Sequence, residues 1–270
     1  LGTSQVKAMT SDQIAVLTTS QLQSLSTTQV QAIDTDDVAA MTSTQIKALS
    51  NTELSGMTTA QVAALTSDQI KSVTTAALAG LSTAQVAGLT TAQVAALSTT
   101  QVQAMETADV AALGSTQTKA LSTTQVAALS TSQVQAMSTT AVTGLTADAV
   151  KGLSSNQLQA LTTAGVAALT TTQVGALDTA QVAALTSTET AALTTTQVQA
   201  LSTSQVKALE AGDLSAMSTT QVAALTTTQV GALTATQVSN LTTGQVAALT
   251  TDQVNVLSST QVQALSTGQV

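Results

Sequence analysis

Large apolar residues recur at every eighth position of this chain. From Leu1 to Leu265 each of these positions holds Leu, Met, Ile or Val, and Thr, Ser, Gln, Val and Ala fill most of the intervals. In the octad Leu121–Ala128, counted from Leu121 as position 1, the second large apolar residue is Val126 at position 6. The sequence therefore consists of 33 complete octads and a six-residue remainder, with no insertion or deletion.

Two regular structures fit this period poorly. In a continuous α-helix, eight residues leave a remainder of about 80°, so successive leucines would spread around every face. In a strand, positions 1 and 6 point to opposite faces, which requires a sheet buried on both sides, and Gln and Ala are poor residues for such a sheet. A short helix that begins and ends within each octad is the remaining interpretation.

The polar positions predict where that helix begins. Position 2 is Ser, Thr, Asp or Gly in 32 of 34 octads, and position 5 is Gln in 25 octads and Asp or Glu in five more. In a capping box, the hydroxyl at position 2 accepts a hydrogen bond from the backbone amide of position 5, and the Gln or Glu side chain at position 5 accepts one from the backbone amide of position 2. Positions 1 and 6 would form the hydrophobic staple. We therefore predict one helix per octad, about six or seven residues long, from position 3 to about the next position 1.

The charges agree with this register. All fourteen acidic residues lie at positions 2, 4 or 5, and all six lysines lie at position 7. Acids in the first turn and bases in the last turn are favoured by the helix dipole. The lysines are Lys7, Lys47, Lys71, Lys119, Lys151 and Lys207.

Such short helices need tertiary contacts, because isolated helices below about 12–15 residues are marginal in water. Position 8 is almost always small, which indicates the close approach of another backbone. We predict an all-α solenoid in which positions 1, 6 and 8 face inward and positions 3, 4 and 7 face water. The predicted solenoid has two octads per coil, with successive helices running in alternating directions. At a helix spacing of about 8–10 Å, it would form a rod on the order of 150 Å long.

The domain prediction is a single tandem array over residues 1–270. Each octad can lean only on its neighbours, so a short strict repeat behaves as a one-dimensional stack. Both the first and the last residue are in register, and for this reason we expect the chain to be a segment of a longer array.

Composition excludes several classes of function. The chain has no His, Cys, Pro or aromatic residue, and its net charge is -8. A nucleic-acid-binding protein needs Lys and Arg to neutralise phosphates, so we expect no nucleic-acid partner. The longest apolar run is too short to span a bilayer, and the lack of Cys excludes disulfides and thiolate metal sites.

We predict no catalytic residue, no cofactor and no metal site, and we expect that the protein is not an enzyme. Acid–base chemistry would depend on carboxylates and lysines placed on an exposed surface, with nothing to shift their pKa. The densest acidic cluster is Asp34, Asp36 and Asp37, and Glu210 with Asp213 is similar; all five occupy ordinary capping or first-turn positions. The tripeptide Asn240-Leu241-Thr242 matches the N-glycosylation pattern. One such match is expected by chance in a chain this rich in Thr.

The repeat L-[ST]-T-x-Q-V-x-A, as in Leu89–Ala96, resembles tandem arrays of very large bacterial surface or secreted proteins that are described as adhesin-like. The resemblance covers the whole chain and implies an extracellular or cell-surface, spacer-like or fibre-like role. The octads occupy the whole of residues 1–270, so we expect no adhesive head domain within this stretch.

Three functions follow from these observations. The first is a structural rod, stalk or filament that self-associates laterally or end to end. The second is a solenoid binding or adhesion module for a glycan or a protein, because solenoids often present a repeated surface to a partner. The third is a β-solenoid with a flat Thr ladder, which a helical circular dichroism spectrum would exclude.

Overall fold

In the computed structural model, residues 2–269 are described, and within this range the chain forms 33 short α-helices and no strand. Packing divides the chain into two compact units, unit 1 (Leu1–Leu145) and unit 2 (Thr146–Val270), which are treated separately below. The predicted all-α solenoid of very short helices is confirmed. The single array over residues 1–270 stays a prediction.

The described part of unit 1 contains eighteen helices. They are α1 Thr3–Lys7, α2 Ser11–Ala15, α3 Thr19–Gln23, α4 Thr27–Gln31, α5 Thr35–Ala40, α6 Ser43–Ala48, α7 Asn51–Gly56, α8 Thr59–Ala64, α9 Ser67–Ser72, α10 Thr75–Ala79, α11 Thr83–Ala87, α12 Thr91–Ala96, α13 Thr99–Ala104, α14 Thr107–Ala112, α15 Ser115–Ala120, α16 Thr123–Ala127, α17 Thr131–Ala136 and α18 Thr139–Gly144.

Unit 2 contains fifteen helices in the part of it that is described. They are α19 Ala147–Lys151, α20 Ser155–Gln159, α21 Thr163–Ala168, α22 Thr171–Ala176, α23 Thr179–Ala183, α24 Ser187–Ala192, α25 Thr195–Ala200, α26 Thr203–Ala208, α27 Ala211–Ala216, α28 Thr219–Ala224, α29 Thr227–Ala232, α30 Ala235–Ser239, α31 Thr243–Ala247, α32 Thr251–Asn255 and α33 Ser259–Ala264.

Most of the helices begin at a capping box, as α12 illustrates. Thr90 is the N-cap, with extended dihedral angles (φ -71°, ψ 158°). Its hydroxyl accepts a hydrogen bond from the Gln93 amide at 3.2 Å, and the Gln93 Oε1 atom accepts one from the Thr90 amide at 2.8 Å. These two bonds pair amides that the first turn of a helix leaves without partners, so the predicted capping box is confirmed.

Each helix ends in a tight turn followed by extended backbone. After α12 the Leu97 amide donates to the Val94 carbonyl at 3.3 Å, and Leu97 itself is extended (φ -58°, ψ 137°). Among the described residues none has a positive φ, so no helix ends in the left-handed residue that commonly closes one. The helices contain five or six residues and end at position 7 or 8, slightly earlier than predicted.

Within each unit, a helix packs on the third helix along the chain. In unit 1, α12 contacts α9 and α15; in unit 2, α25 contacts α22 and α28. One coil therefore contains three octads, and the predicted coil of two octads with alternating helix directions is wrong. Two extended residues between helices turn the chain by roughly a third of a coil, whereas a two-helix coil needs a reversal. The predicted rod length, which assumed paired octads, no longer applies.

Positions 1, 5 and 6 form the buried core. Leu97, Gln93 and Val94 are 4%, 1% and 0% exposed, respectively, and the same three positions are buried in most octads. The prediction that position 8 belongs to this inner set is wrong, since position 8 is mostly half-buried. Close approach at position 8 is nevertheless found: a Cβ atom added to Gly88 would lie 2.4 Å from Thr59 Cγ2 in the adjacent coil.

The charged residues lie where the helix dipole favours them. Acidic residues occupy N-caps or first turns, as Asp12 does in α2 and Glu53 in α7. All six lysines lie in the last turn of a helix. Lys71 forms an exposed ion pair with Asp68 at 3.2 Å, and pairs of this kind contribute little to stability.

Two threonines replace the apolar residue at position 6, and their hydroxyls differ in hydrogen bonding. Thr118 Oγ1 donates to the Ala141 carbonyl at 2.8 Å, whereas the buried Thr190 Oγ1 has no partner. We expect Thr190→Val to raise stability by about 1 kcal/mol, because it removes an unsatisfied buried hydroxyl. Thr118→Val should instead lower stability by about 1 kcal/mol, because it breaks a bond. Thermal unfolding followed by circular dichroism compares the stabilities of the two variants. A gain in stability in both would contradict a stabilising hydrogen bond from Thr118 to Ala141.

Candidate functional site

The acidic residues singled out in the sequence do not assemble into a site. Asp34 is the N-cap of α5, Asp36 is exposed, and Asp37 is buried and accepts a hydrogen bond from Ser11 Oγ at 2.7 Å. Across residues 2–269, no three acidic side chains lie close enough together to hold one metal ion. These carboxylates act locally at helix ends.

The pair Glu210 and Asp213 repeats the same arrangement in unit 2. Asp213 accepts a hydrogen bond from Ser187 Oγ at 2.6 Å, and both acids border an open groove of about 420 Å³. The aspartate side chain therefore ties its helix to a serine one coil earlier. In both cases an acid stands at the N-cap and no capping box forms.

Asn240 of the glycosylation pattern is exposed at the end of α30. Its Nδ2 atom donates to the Thr236 carbonyl at 2.9 Å, so the side chain closes its own helix. In the described part of the chain, none of the helices has the length and apolar content needed to cross a bilayer.

The feature that joins the coils is the position-5 glutamine, which sequence reasoning had treated only as an N-terminal cap. Gln93 Oε1 accepts from the Thr90 amide of its own helix, and Gln93 Nε2 donates to the carbonyls of Val62 at 2.8 Å and Leu65 at 2.7 Å. Val62 and Leu65 lie at the C-terminal end of α8, in the preceding coil. One side chain thus caps the beginning of one helix and the end of another, and we call this arrangement the glutamine bridge.

The bridge recurs with a fixed register. Its Nε2 atom reaches carbonyls 31 and 28 residues earlier, at positions 6 and 1, in both units. The glutamines that form it in unit 1 include Gln45, Gln61, Gln69, Gln85, Gln93, Gln101, Gln117, Gln125 and Gln133. In unit 2 they include Gln181, Gln197, Gln205, Gln221, Gln229, Gln237, Gln245, Gln253, Gln261 and Gln269.

The bridge explains how the helices end without a left-handed residue. The last carbonyls of a helix have no partner within it and commonly bond to a residue in the left-handed conformation that follows. Here the amide group of a later coil supplies the donor instead. Because a buried carbonyl without a donor is costly, each bridge makes the end of one helix depend on the next coil.

The choice of residue at position 5 follows from this double role. A capping box accepts either Gln or Glu, because both side chains supply an oxygen. Only Gln also supplies N–H donors. The excess of Gln over Glu at this position, 25 octads against two, is the sequence signal that could have revealed the bridge.

Nine octads have another residue at position 5. These residues are Asp37, Glu53, Ala77, Asp109, Ala141, Ala149, Gly165, Glu189 and Asp213. Among them, burial raises the pKa of the Asp109 carboxyl, the charge of Glu106 raises it further, and the hydrogen bond from the Glu106 amide opposes the shift. The ionised form of Asp109 is therefore less favourable in the folded chain than in the unfolded one.

This shift makes the contribution of Asp109 to stability depend on pH. A carboxyl whose pKa is raised on folding stabilises the protein below its unfolded pKa, about 3.9 for Asp, and loses that contribution as pH rises through the folded pKa. We expect Asp109→Asn to match the parent near pH 3 and to become the more stable protein as pH rises toward 7. Urea unfolding across this range tests it, with the exposed Asp12→Asn as control. A difference between parent and variant that stays constant with pH would contradict the assignment.

Comparison with known families gives one match. Eight stretches of the chain, residues 1–27, 18–51, 45–75, 70–99, 102–139, 153–187, 206–243 and 239–267, match the ALTTAQ repeat. Together they cover most of the chain. A search of curated proteins found no match.

Proposed function

The chain belongs to the ALTTAQ repeat family, and from that premise we propose that it serves as an extended structural element outside the cell, as a rod, stalk or filament. The observation that carries the proposal is the glutamine bridge. Every bridge joins one coil to the next by the same bonds, so coils can be added without changing the joint.

The distribution of side chains supports a structural role over a catalytic one. The buried polar residues at position 5 are used in helix caps and bridges, and the exposed positions carry mainly Thr, Ser and Ala. An enzyme needs acids, bases or nucleophiles held together with shifted pKa values. We therefore include in the proposal that the protein is not an enzyme.

The extracellular placement rests on resemblance. The octads of the chain resemble those of large bacterial surface proteins. A surface of small hydroxyl residues with net negative charge keeps such an array soluble. Self-association, end to end or lateral, would extend a single chain into a filament.

Electron microscopy of the purified chain tests the proposal. Elongated particles or filaments are expected, and analytical ultracentrifugation should give a frictional ratio well above that of a compact protein of 26.8 kDa. Compact particles of uniform size that do not associate would overturn the structural proposal. Immunogold labelling of intact and permeabilised source cells tests the location separately.

A further inference from the structure

Two octads place a glutamate where their neighbours place a bridging glutamine. Glu53 lies between the octads of Gln45 and Gln61 in unit 1. Both of these glutamines donate to carbonyls of the preceding coil, Gln45 at 2.8 and 2.9 Å and Gln61 at 2.8 and 2.7 Å. In unit 2, Glu189 stands in the same way between Gln181 and Gln197, which also form bridges. The same substitution therefore occurs twice, each time between two octads that form bridges.

Each glutamate keeps one half of the bridge. Glu53 Oε2 accepts from the Ser50 amide at 2.6 Å, and Glu189 Oε2 accepts from the Thr186 amide at 2.7 Å. The other carboxylate oxygen, Oε1, is buried in both residues and has no hydrogen-bond partner. The two side chains are only 6% and 4% exposed. Both side chains are therefore largely removed from bulk solvent.

In the neighbouring octads the amide nitrogen at position 5 faces carbonyl oxygens 31 and 28 residues earlier. The same register predicts that Oε1 of each glutamate faces such oxygens. Carbonyls 31 and 28 residues before Glu53 belong to Leu22 and Leu25, at the end of α3. The corresponding carbonyls before Glu189 belong to Leu158 and Leu161, at the end of α20. Both sets lie at the C-terminal end of a helix, which carries partial negative charge.

This arrangement has negative charge with no positive group to balance it. Glutamic acid is ordinarily ionised at pH 7, and a buried carboxylate is costly unless it is paired. The ion pair found among residues 2–269 joins Lys71 to Asp68, and neither glutamate takes part in it. Such surroundings favour a cation that binds oxygen ligands.

We propose that Glu53 and Glu189 each bind an alkali-metal cation, sodium or potassium, between the carboxylate and the C-terminal carbonyls of the preceding coil. One carboxylate balances one positive charge. Calcium and magnesium each carry two charges, one more than this carboxylate balances, and calcium sites in proteins ordinarily use several carboxylates. The cation replaces the bridging amide as the link between coils. The site goes beyond the proposed structural function and does not depend on it.

Thermal unfolding in two salts of equal ionic strength tests the site. The parent chain is titrated with potassium or sodium chloride against N-methyl-D-glucamine chloride, whose cation is too large for a buried site. Because a ligand that binds only the folded state stabilises it by mass action, the midpoint should rise by a few degrees and then saturate. The Glu53→Gln/Glu189→Gln variant, which restores two amide bridges, should show no such rise.

The control is Asp12→Asn/Asp252→Asn, which removes two exposed carboxylates and the same total charge. It should respond to the cation as the parent does. Hydrogen exchange should show that protection gained in alkali salt is confined to the ends of α3 and α20 and to α7 and α24. An equal response in all three proteins would overturn the proposal. So would a parent that responds to no alkali cation and is instead stabilised at acidic pH, because a proton would then occupy Oε1.

Discussion

Gln93→Glu is expected to destabilise unit 1 by about 3–5 kcal/mol, the range seen when a buried charge is left without a partner. Glutamate keeps the oxygen that caps Thr90 but has no N–H group to donate. The carbonyls of Val62 and Leu65, now bonded at 2.8 and 2.7 Å, would lose this donor and face a carboxylate. Urea unfolding in N-methyl-D-glucamine buffer, followed by circular dichroism, measures the loss without a cation that could compensate for it.

The matched control for this variant is Gln103→Glu. Gln103 lies at position 7 of the following octad and is exposed, so the same chemical change should alter stability by less than about 0.5 kcal/mol. Hydrogen exchange should place the effect of Gln93→Glu at the C-terminal end of α8 and the start of α12. If the two variants lose equal stability, Gln93 contributes only as an N-cap, and the bridge does not stabilise the coil.

Local sequence rules were sufficient to predict the helices. Capping residues at position 2, glutamine at position 5 and lysine at position 7 each depend on atoms within one octad, and α12 begins and ends close to where those residues predict. Interactions of this kind can be read from sequence because the partners are three or four residues apart. The burial of positions 1 and 6 followed from the same register.

The joint between coils depends on atoms far apart in sequence and was missed for that reason. Gln93 Nε2 binds carbonyls 28 and 31 residues earlier, and every octad offers similar carbonyls, so composition alone does not say which ones it reaches. The number of octads per coil was missed too, because it depends on which helices pack on each other and no residue within one octad determines that. The excess of Gln over Glu was the sequence signal for the bridge, because only Gln has a side-chain amide nitrogen that can donate to these carbonyls.

Gly144→Ala is the second substitution with a large expected effect. Gly144 ends α18, and an added Cβ atom would lie within 2.2 Å of Thr118 Oγ1, 2.3 Å of the Ser115 carbonyl oxygen and 2.5 Å of Ser115 Cα. Real Cβ atoms do not approach other atoms so closely, and two of the three are backbone atoms that cannot rotate away. We expect a loss of about 3 kcal/mol, the upper part of the range for overpacked sites, measured by urea unfolding.

Gly212→Ala is the control, since no heavy atom outside its own neighbourhood lies within 4 Å of its Cβ position. Because Gly inside a helix is less stable than Ala, this variant should gain about 0.5–1 kcal/mol. The double variant Thr118→Ala/Gly144→Ala separates the two causes of the clash. Removing the hydroxyl leaves the Ser115 backbone in place, so the double variant should remain as unstable as Gly144→Ala or more so. Full recovery in the double variant would mean that the Thr118 side chain, and not the close approach of α15 and α18, requires glycine at this position.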